Sequence, residues 1–429
     1  QVKPNGLFQN EKQTPQCPAH EKCGLMPAET SKMEQHGDVD QNLSVDALIE
    51  EATCAQVGHD ADARARKRAR WLGVSNGRGT QADYLPITIR ANDPSDPYCS
   101  ANLHSHVRYS LAEQIDSPEN MLAEWLPRLR SWIQFPSDVY PGLAPRFGNA
   151  FLLSAFGLGV RIMDDTLHAE RLLSRDEARN LVLPDDFAER GMVKRAAEYT
   201  RYCRSVLPEE IHTGLFFMMS PFDLAYLIRG QDLLMDMYDD PALVHQLMGE
   251  CTKLFVEVTQ LYKGLAGEPD DWYWYGNNVM AGGGQLCEDC CVMVSPECHA
   301  EFSIPYTKRA FDALGGGWVH FCGDGRQIVD NYLAMPGMHG ILYGQMHLNG
   351  DRNGLLKQFE DAGKGLNYAV ARKPGESWLD YFRRFLAPVS RKAGVWMHVG
   401  LSPNEWAVGP QLMELWHQAQ DEKWPSRHE

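Results

Sequence analysis

From Tyr84 onward the chain alternates short runs of β-branched and aromatic residues with longer stretches whose apolar positions recur every three or four residues. The clearest long stretch follows Asp240. There Leu243, Leu247, Cys251, Leu254, Val258 and Leu261 form one stripe and predict a helix packing a single face on a core. The short runs predict nine strands, at residues 87–91, 140–145, 160–163, 214–219, 272–277, 318–323, 340–345, 366–371 and 395–400. Ser117-Pro118, Ser220-Pro221, Asp240-Pro241, Ser295-Pro296 and Ser402-Pro403 mark helix starts, each a capping side chain before a proline whose missing N–H costs nothing at the first helical position. At the last of these, Glu405 predicts a capping box with Ser402. Helices between most strands favour parallel pairing through right-handed crossovers. The expected architecture is therefore α/β, a (β/α)8 TIM barrel with an N-terminal extension, with a doubly wound open sheet as the alternative. Nine strands is one too many for eight, so one is expected to lie outside the closed sheet or to be misread.

Residues 1 to about 58 are rich in Gln, Glu, Lys, Pro and Asn with little periodic hydrophobicity, and a helix is expected from Ala61 to Leu72. The expected division is an extension over residues 1–83 and a catalytic barrel over 84–429. Cys17, His20 and Cys23 have a spacing that suits a metal, but no second ligand pair follows them. The basic run Arg64 to Arg70 reads as a solvated helical face.

Composition changes the picture mainly by exclusion. A net charge of −16 over 429 residues opposes binding to nucleic acid and to anionic lipid, which both need Lys and Arg to replace counterions. No apolar run is long enough to span a bilayer. Eleven scattered cysteines and the lack of a basic-then-apolar start at Gln1 to Phe8 give a reducing cytoplasm as the expected compartment. Phosphate-loop, nucleophile-elbow and dinucleotide fingerprints are absent.

His320-Phe321-Cys322 closes one predicted strand and runs into Gly323-Asp324-Gly325, and alternation along the strand puts the imidazole and the thiol on one face. The spacing alone is weak, because 15 histidines and 11 cysteines give roughly 0.4 such pairs by chance. Placement at a strand C-terminus strengthens it, since barrel active sites gather there. His398, near the end of the last strand, shares that placement, and His320, Cys322 and His398 would leave zinc an open fourth position. Plain core packing is the alternative for each. Glu288 and Asp289, in the loop expected around Gly282 to Cys291, are candidate acid, base or metal-ligating groups. Arg90, Trp274, Tyr275 and Tyr343 are candidate substrate-binding residues.

Met218-Met219-Ser220-Pro221-Phe222-Asp223-Leu224-Ala225-Tyr226-Leu227-Ile228-Arg229-Gly230, then Asp239-Asp240-Pro241, Glu288-Asp289, Ser295-Pro296-Glu297, Pro305-Tyr306 and His320-Phe321-Cys322-Gly323, resemble the uroporphyrinogen decarboxylase superfamily. The resemblance implies a (β/α)8 barrel. It is closest to the branch that moves methyl groups between corrinoids and thiols, which carries a His-x-Cys zinc pair and a later third cysteine. No cysteine follows Cys322 here, and His398 falls at or within a residue of that third position. The implied activity is a zinc-dependent methyltransferase, with a corrinoid bound free or carried by a partner protein, a small-molecule substrate, and a homodimer left open. The decarboxylase branch resembles the chain less, because its Arg-Gln-Ala-Gly-Arg segment after the first strand is absent and only Arg90 and Asp93 stand there. Metal-free decarboxylation of a carboxylated substrate is the alternative activity, and a non-catalytic scaffold a third reading.

Overall fold

The computed structural model describes residues 61–76, 83–99, 106–214 and 218–425, with a few positions between 44 and 50. Cys17, His20 and Cys23 lie outside the described residues. Among the described residues, eight short strands run parallel to their partners: β1 (Ile87–Ala91), β2 (Gly142–Leu143), β3 (His212–Thr213), β4 (Gly284–Cys287), β5 (Gly317–Phe321), β6 (Met338–Tyr343), β7 (Gly365–Leu366) and β8 (Met397–Leu401). They form three separate ladders, β1 with β8, β2 with β3, and β4 to β7 in order, so the expected single closed sheet is not present as one continuous ladder. Individual backbone bonds cross the gaps. Asp138 donates to the Ile87 carbonyl (2.7 Å), Cys287 to Met218 (2.9 Å), Ser220 to Cys287 (2.7 Å), and Leu366 to Gly394 (2.7 Å).

Two of the nine expected strands belong to antiparallel hairpins instead. Val160–Met163 pairs with Thr166–Ala169, and Trp272–Tyr275 with Asn278–Ala281. Both turns put two successive residues at positive φ, Asp164 and Asp165 in one and Gly276 and Asn277 in the other, the twist that suits a two-residue hairpin. The strand that takes their place is β4, which the glycine run Gly282 to Gly284 disguised as loop.

Helix starts follow the sequence closely. Ser117, Ser220, Asp240 and Ser295 each accept the N–H three residues on through their side chains. Ser402 does not, and Glu405 pairs with Arg372, so the expected capping box is absent. The stripe after Asp240 becomes the 26-residue helix Pro241–Ala266, with Leu243, Leu247, Cys251, Leu254 and Val258 buried. No helix among the described residues is long and apolar enough to cross a membrane.

One end of the strand set is sealed by aromatic rings. The Ala61–Ser75 helix buries Trp71, whose indole donates to the Asp138 carbonyl (2.7 Å) and meets Trp396 edge-on at 5.6 Å. Trp396 in turn meets Trp318 at 5.5 Å, and Trp318 donates to the Ser75 carbonyl (3.0 Å) at the end of that helix. Trp318 lies across the neighbouring strands, where a Cβ on Gly340 or Gly365 would come within 2.4 or 2.3 Å of its ring. Burying one such side chain removes roughly 150–250 Å² from water, on the order of 4–6 kcal/mol of transfer free energy.

Candidate metal centre

The side chains with metal-ligating chemistry meet on β4 and β5. In the parallel register Cys287 stands opposite His320, so both project from the same face. His320 Nε2 is 3.5 Å from Cys322 Sγ and 3.9 Å from Asp289 Oδ1. Cys287, Asp289 and His320 each bring a ligand atom within 4.8 Å of the other two. Asp289 is held from two directions, with the Cys322 N–H donating to Oδ1 (2.6 Å) and the Cys287 thiol to Oδ2 (3.3 Å). Burial, together with the carboxylates of Asp289 and Asp223, pushes the Cys287 thiol well above its usual range. Asp289 and His320 remain open to solvent at 22% and 16%, while Cys287 is buried beneath them.

Space at this cluster depends on Gly344, which follows β6. A Cβ there would stand 2.5 Å from Cys322 Sγ and 3.2 Å from the His320 ring.

Glu288 and Asp289 point apart, as adjacent residues leaving a strand do. Glu288 is fully buried and accepts from Ser303, from Tyr332 (2.5 Å) and from Thr307 (3.4 Å), and burial raises its pKa. With Cys291 and His299 it forms a second close group of potential ligands. There, however, Asn331 Nδ2 donates both to the Pro296 carbonyl (2.8 Å) and to His299 Nδ1 (3.1 Å). That bond fixes the tautomer with the proton on Nε2, which leaves no lone pair for a cation. Cys291 likewise donates to the Glu288 carbonyl (2.6 Å).

His398 is not brought to the cluster. Its Nδ1 is bonded to the Thr88 hydroxyl and its Nε2 accepts the Trp396 indole N–H (2.8 Å), so both ring nitrogens are occupied. The residue keeps exposed surface, while desolvation of the ring by the protein around it lowers its pKa to about 4. Arg90 donates to the Cys99 carbonyl (2.8 Å) and lies over Trp132. Tyr343 is on the opposite strand face from His320, because it pairs with Phe321; its hydroxyl accepts from the Gly325 N–H (2.9 Å) and its ring packs on Phe321 at 4.5 Å. Trp274 is buried, donates to the Tyr140 carbonyl (2.8 Å), and fills the space over Gly142 and Gly214. Tyr275 turns the other way. Its hydroxyl, pushed up to about 12 chiefly by burial, lies within electrostatic reach of Cys287 and Cys322.

Asp223 contributes here without having been singled out as functional. Cys287 becomes visible only once β4 is recognised as a strand in register with His320.

Residues 147–263 match the family model described as uroporphyrinogen decarboxylase (URO-D), so the resemblance to that superfamily is shown over this segment, which ends before β4. A search of curated proteins finds no match. Among solved structures the chain is similar to a methyltransferase from Methanosarcina mazei, at TM-score 0.54 and 13% identity, covering 83% of this chain and 99% of that one. At that identity the likeness is one of fold.

Proposed function

We propose that the eight parallel strands are those of a (β/α)8 barrel and that the chain is a zinc-dependent methyltransferase with its metal at the C-terminal ends of β4 and β5. His320, Cys322 and Asp289 would hold the ion. The observation that carries this reading is the approach of His320 Nε2 to Cys322 Sγ (3.5 Å) and Asp289 Oδ1 (3.9 Å). Zinc bonds of about 2.0–2.3 Å in a tetrahedron put ligand atoms roughly 3.3–3.8 Å apart, so each of these two donors already stands near ligand spacing from His320. A mixed nitrogen, sulfur and oxygen set suits zinc and leaves one position for an incoming group. Bound there, zinc would lower the pKa of a coordinated thiol and so raise its thiolate fraction at neutral pH.

The protein's own part is to aim and shelter. The Cys322 N–H and the Cys287 thiol orient Asp289, and the glycine at 344 leaves the imidazole and thiolate unobstructed. The methyl acceptor in this reading is a small thiol, and the donor a corrinoid, free or on a partner protein, in a cytoplasmic setting. Metal analysis of the reduced, purified protein tests it. Near-stoichiometric zinc, lost in His320→Ala and in Cys322→Ala, is the expected result; a metal-free wild type reconstituted with zinc and still binding none would end this reading.

A further inference from the structure

The Pro221–Arg229 helix begins with Ser220 accepting the Asp223 N–H (3.1 Å). An acidic residue in a first helical turn ordinarily faces the helix's own N–H groups or solvent. Asp223 does neither. It is completely buried, and both its oxygens are spent on another segment: Oδ2 accepts from the Asp289 N–H (2.8 Å) and Oδ1 from the Cys290 N–H (2.9 Å). Those two amides form the turn by which the chain leaves β4. A neighbouring backbone bond, from Ser220 to the Cys287 carbonyl (2.7 Å), fastens the same two segments together.

Holding a carboxylate in that position is unfavourable in itself. Burial and the like charges of Asp289 and Glu288 all oppose its ionisation, while the two N–H bonds favour it. An apolar residue would pack there without the electrostatic cost, but could not grip two consecutive amides. The grip matters because the residue it fixes is Asp289, whose side chain accepts from Cys322 and stands beside His320.

We propose that Asp223 is a positioning residue: its carboxylate clamps the backbone of Asp289 and Cys290, and thereby sets the Asp289 carboxylate at the angle and distance from which it joins His320 and Cys322 around a metal. The inference rests on the metal-site reading above. Asp223 itself touches neither metal nor substrate.

The test is a cobalt(II) titration of the full chain, followed by thiolate-to-cobalt absorption and by the d–d bands that report coordination geometry. Asp223→Asn can accept only one of the two N–H bonds and turns its amide against the other donor. It should bind cobalt roughly 10–100-fold more weakly, the usual effect of losing an outer partner, with displaced d–d bands and the Cys322 charge-transfer band retained. Asp223→Glu, which keeps both acceptors on a longer arm, should recover part of the loss and serves in its place if Asp223→Asn does not fold. Asp351→Ala, which removes a carboxylate that accepts a backbone N–H at a helix cap away from β4 and β5, should bind as wild type does. In an Asp289→Asn background the Asp223 substitution should add little. Wild-type affinity and spectrum in Asp223→Asn, or full additivity with Asp289→Asn, would overturn the proposal and leave the metal site standing. Failure of the wild type itself to bind cobalt would remove both.

Discussion

Two strands of this protein carry the same short pattern, a tryptophan two residues before a histidine: Trp318-Val319-His320 on β5, and Trp396-Met397-His398 entering β8. The two indoles touch edge-on, yet the imidazoles have opposite fates. Trp318 gives its N–H to the Ser75 carbonyl of the sealing helix, and His320 is left facing a thiol and a carboxylate. Trp396 gives its N–H to His398 itself, and Thr88 occupies the other nitrogen. Residue type and strand position are shared. What sets the two apart is that Trp396 and Thr88 bond both nitrogens of His398, whereas His320 Nε2 stands beside Cys322 and Asp289.

The contrast breaks most visibly at the proposed metal site. His320→Ala should abolish stoichiometric zinc, and His398→Ala should leave zinc content unchanged, both by elemental analysis; loss in the second variant would place His398 among the ligands after all. Next in size is the sealed end. Trp318→Ala opens a cavity against Trp396, Gly340 and Gly365 and should lower stability by about 3–5 kcal/mol in denaturant unfolding. A loss below about 1 kcal/mol would show that the aromatic seal is loosely packed. Gly344→Ala sharpens the comparison from the other side. It pushes a methyl against Cys322 and His320, and should weaken metal binding by roughly tenfold with little change in the melting midpoint. Equal affinity would mean that the strand end yields freely.

The smallest effect is in pH. His398 is held near 4 by burial, whereas an unfolded histidine titrates near 6.5. Its folded form therefore resists a proton that the unfolded chain accepts. The stability associated with its neutral state is present above about pH 6.5 and is lost as the pH falls toward 4. The His398 ring signals should show no titration between pH 5 and 8 by NMR, and a midpoint near 6.5 would contradict the bonding described for it.

Much of the strand-and-helix rhythm was legible in the sequence, because periodicity and Ser-Pro or Asp-Pro starts are local signals. The expected bounds of β1 are those observed, and the helix after Asp240 runs as its apolar stripe indicates. Hairpins were misread where a positive-φ pair, Asp164-Asp165 or Gly276-Asn277, was not taken as a turn. The β4 strand was hidden because Gly282 to Gly284 resembles loop. Its glycines serve close approach instead: a Cβ on Gly283 would meet the Leu314 carbonyl at 1.8 Å. At the candidate metal centre, the meeting of His320 and Cys322 was readable from alternation. The part of Cys287 and Asp223 was not, since it depends on register across strands and on one buried carboxylate reaching another segment's amides. The hydrogen bonds of His398 to Thr88 and Trp396 are tertiary contacts that no spacing encodes.

The first strand pairs with the last across 310 residues, and Trp71 waits on Trp396 to complete its surroundings. Early segments emerging from a ribosome thus meet Asp138 soon, but do not complete their strand pairing or aromatic packing until residues 396–401 have been synthesised. Such sequence-distant closure makes assembly slow, leaves nascent apolar edges open to aggregation, and gives chaperones a long interval in which to act.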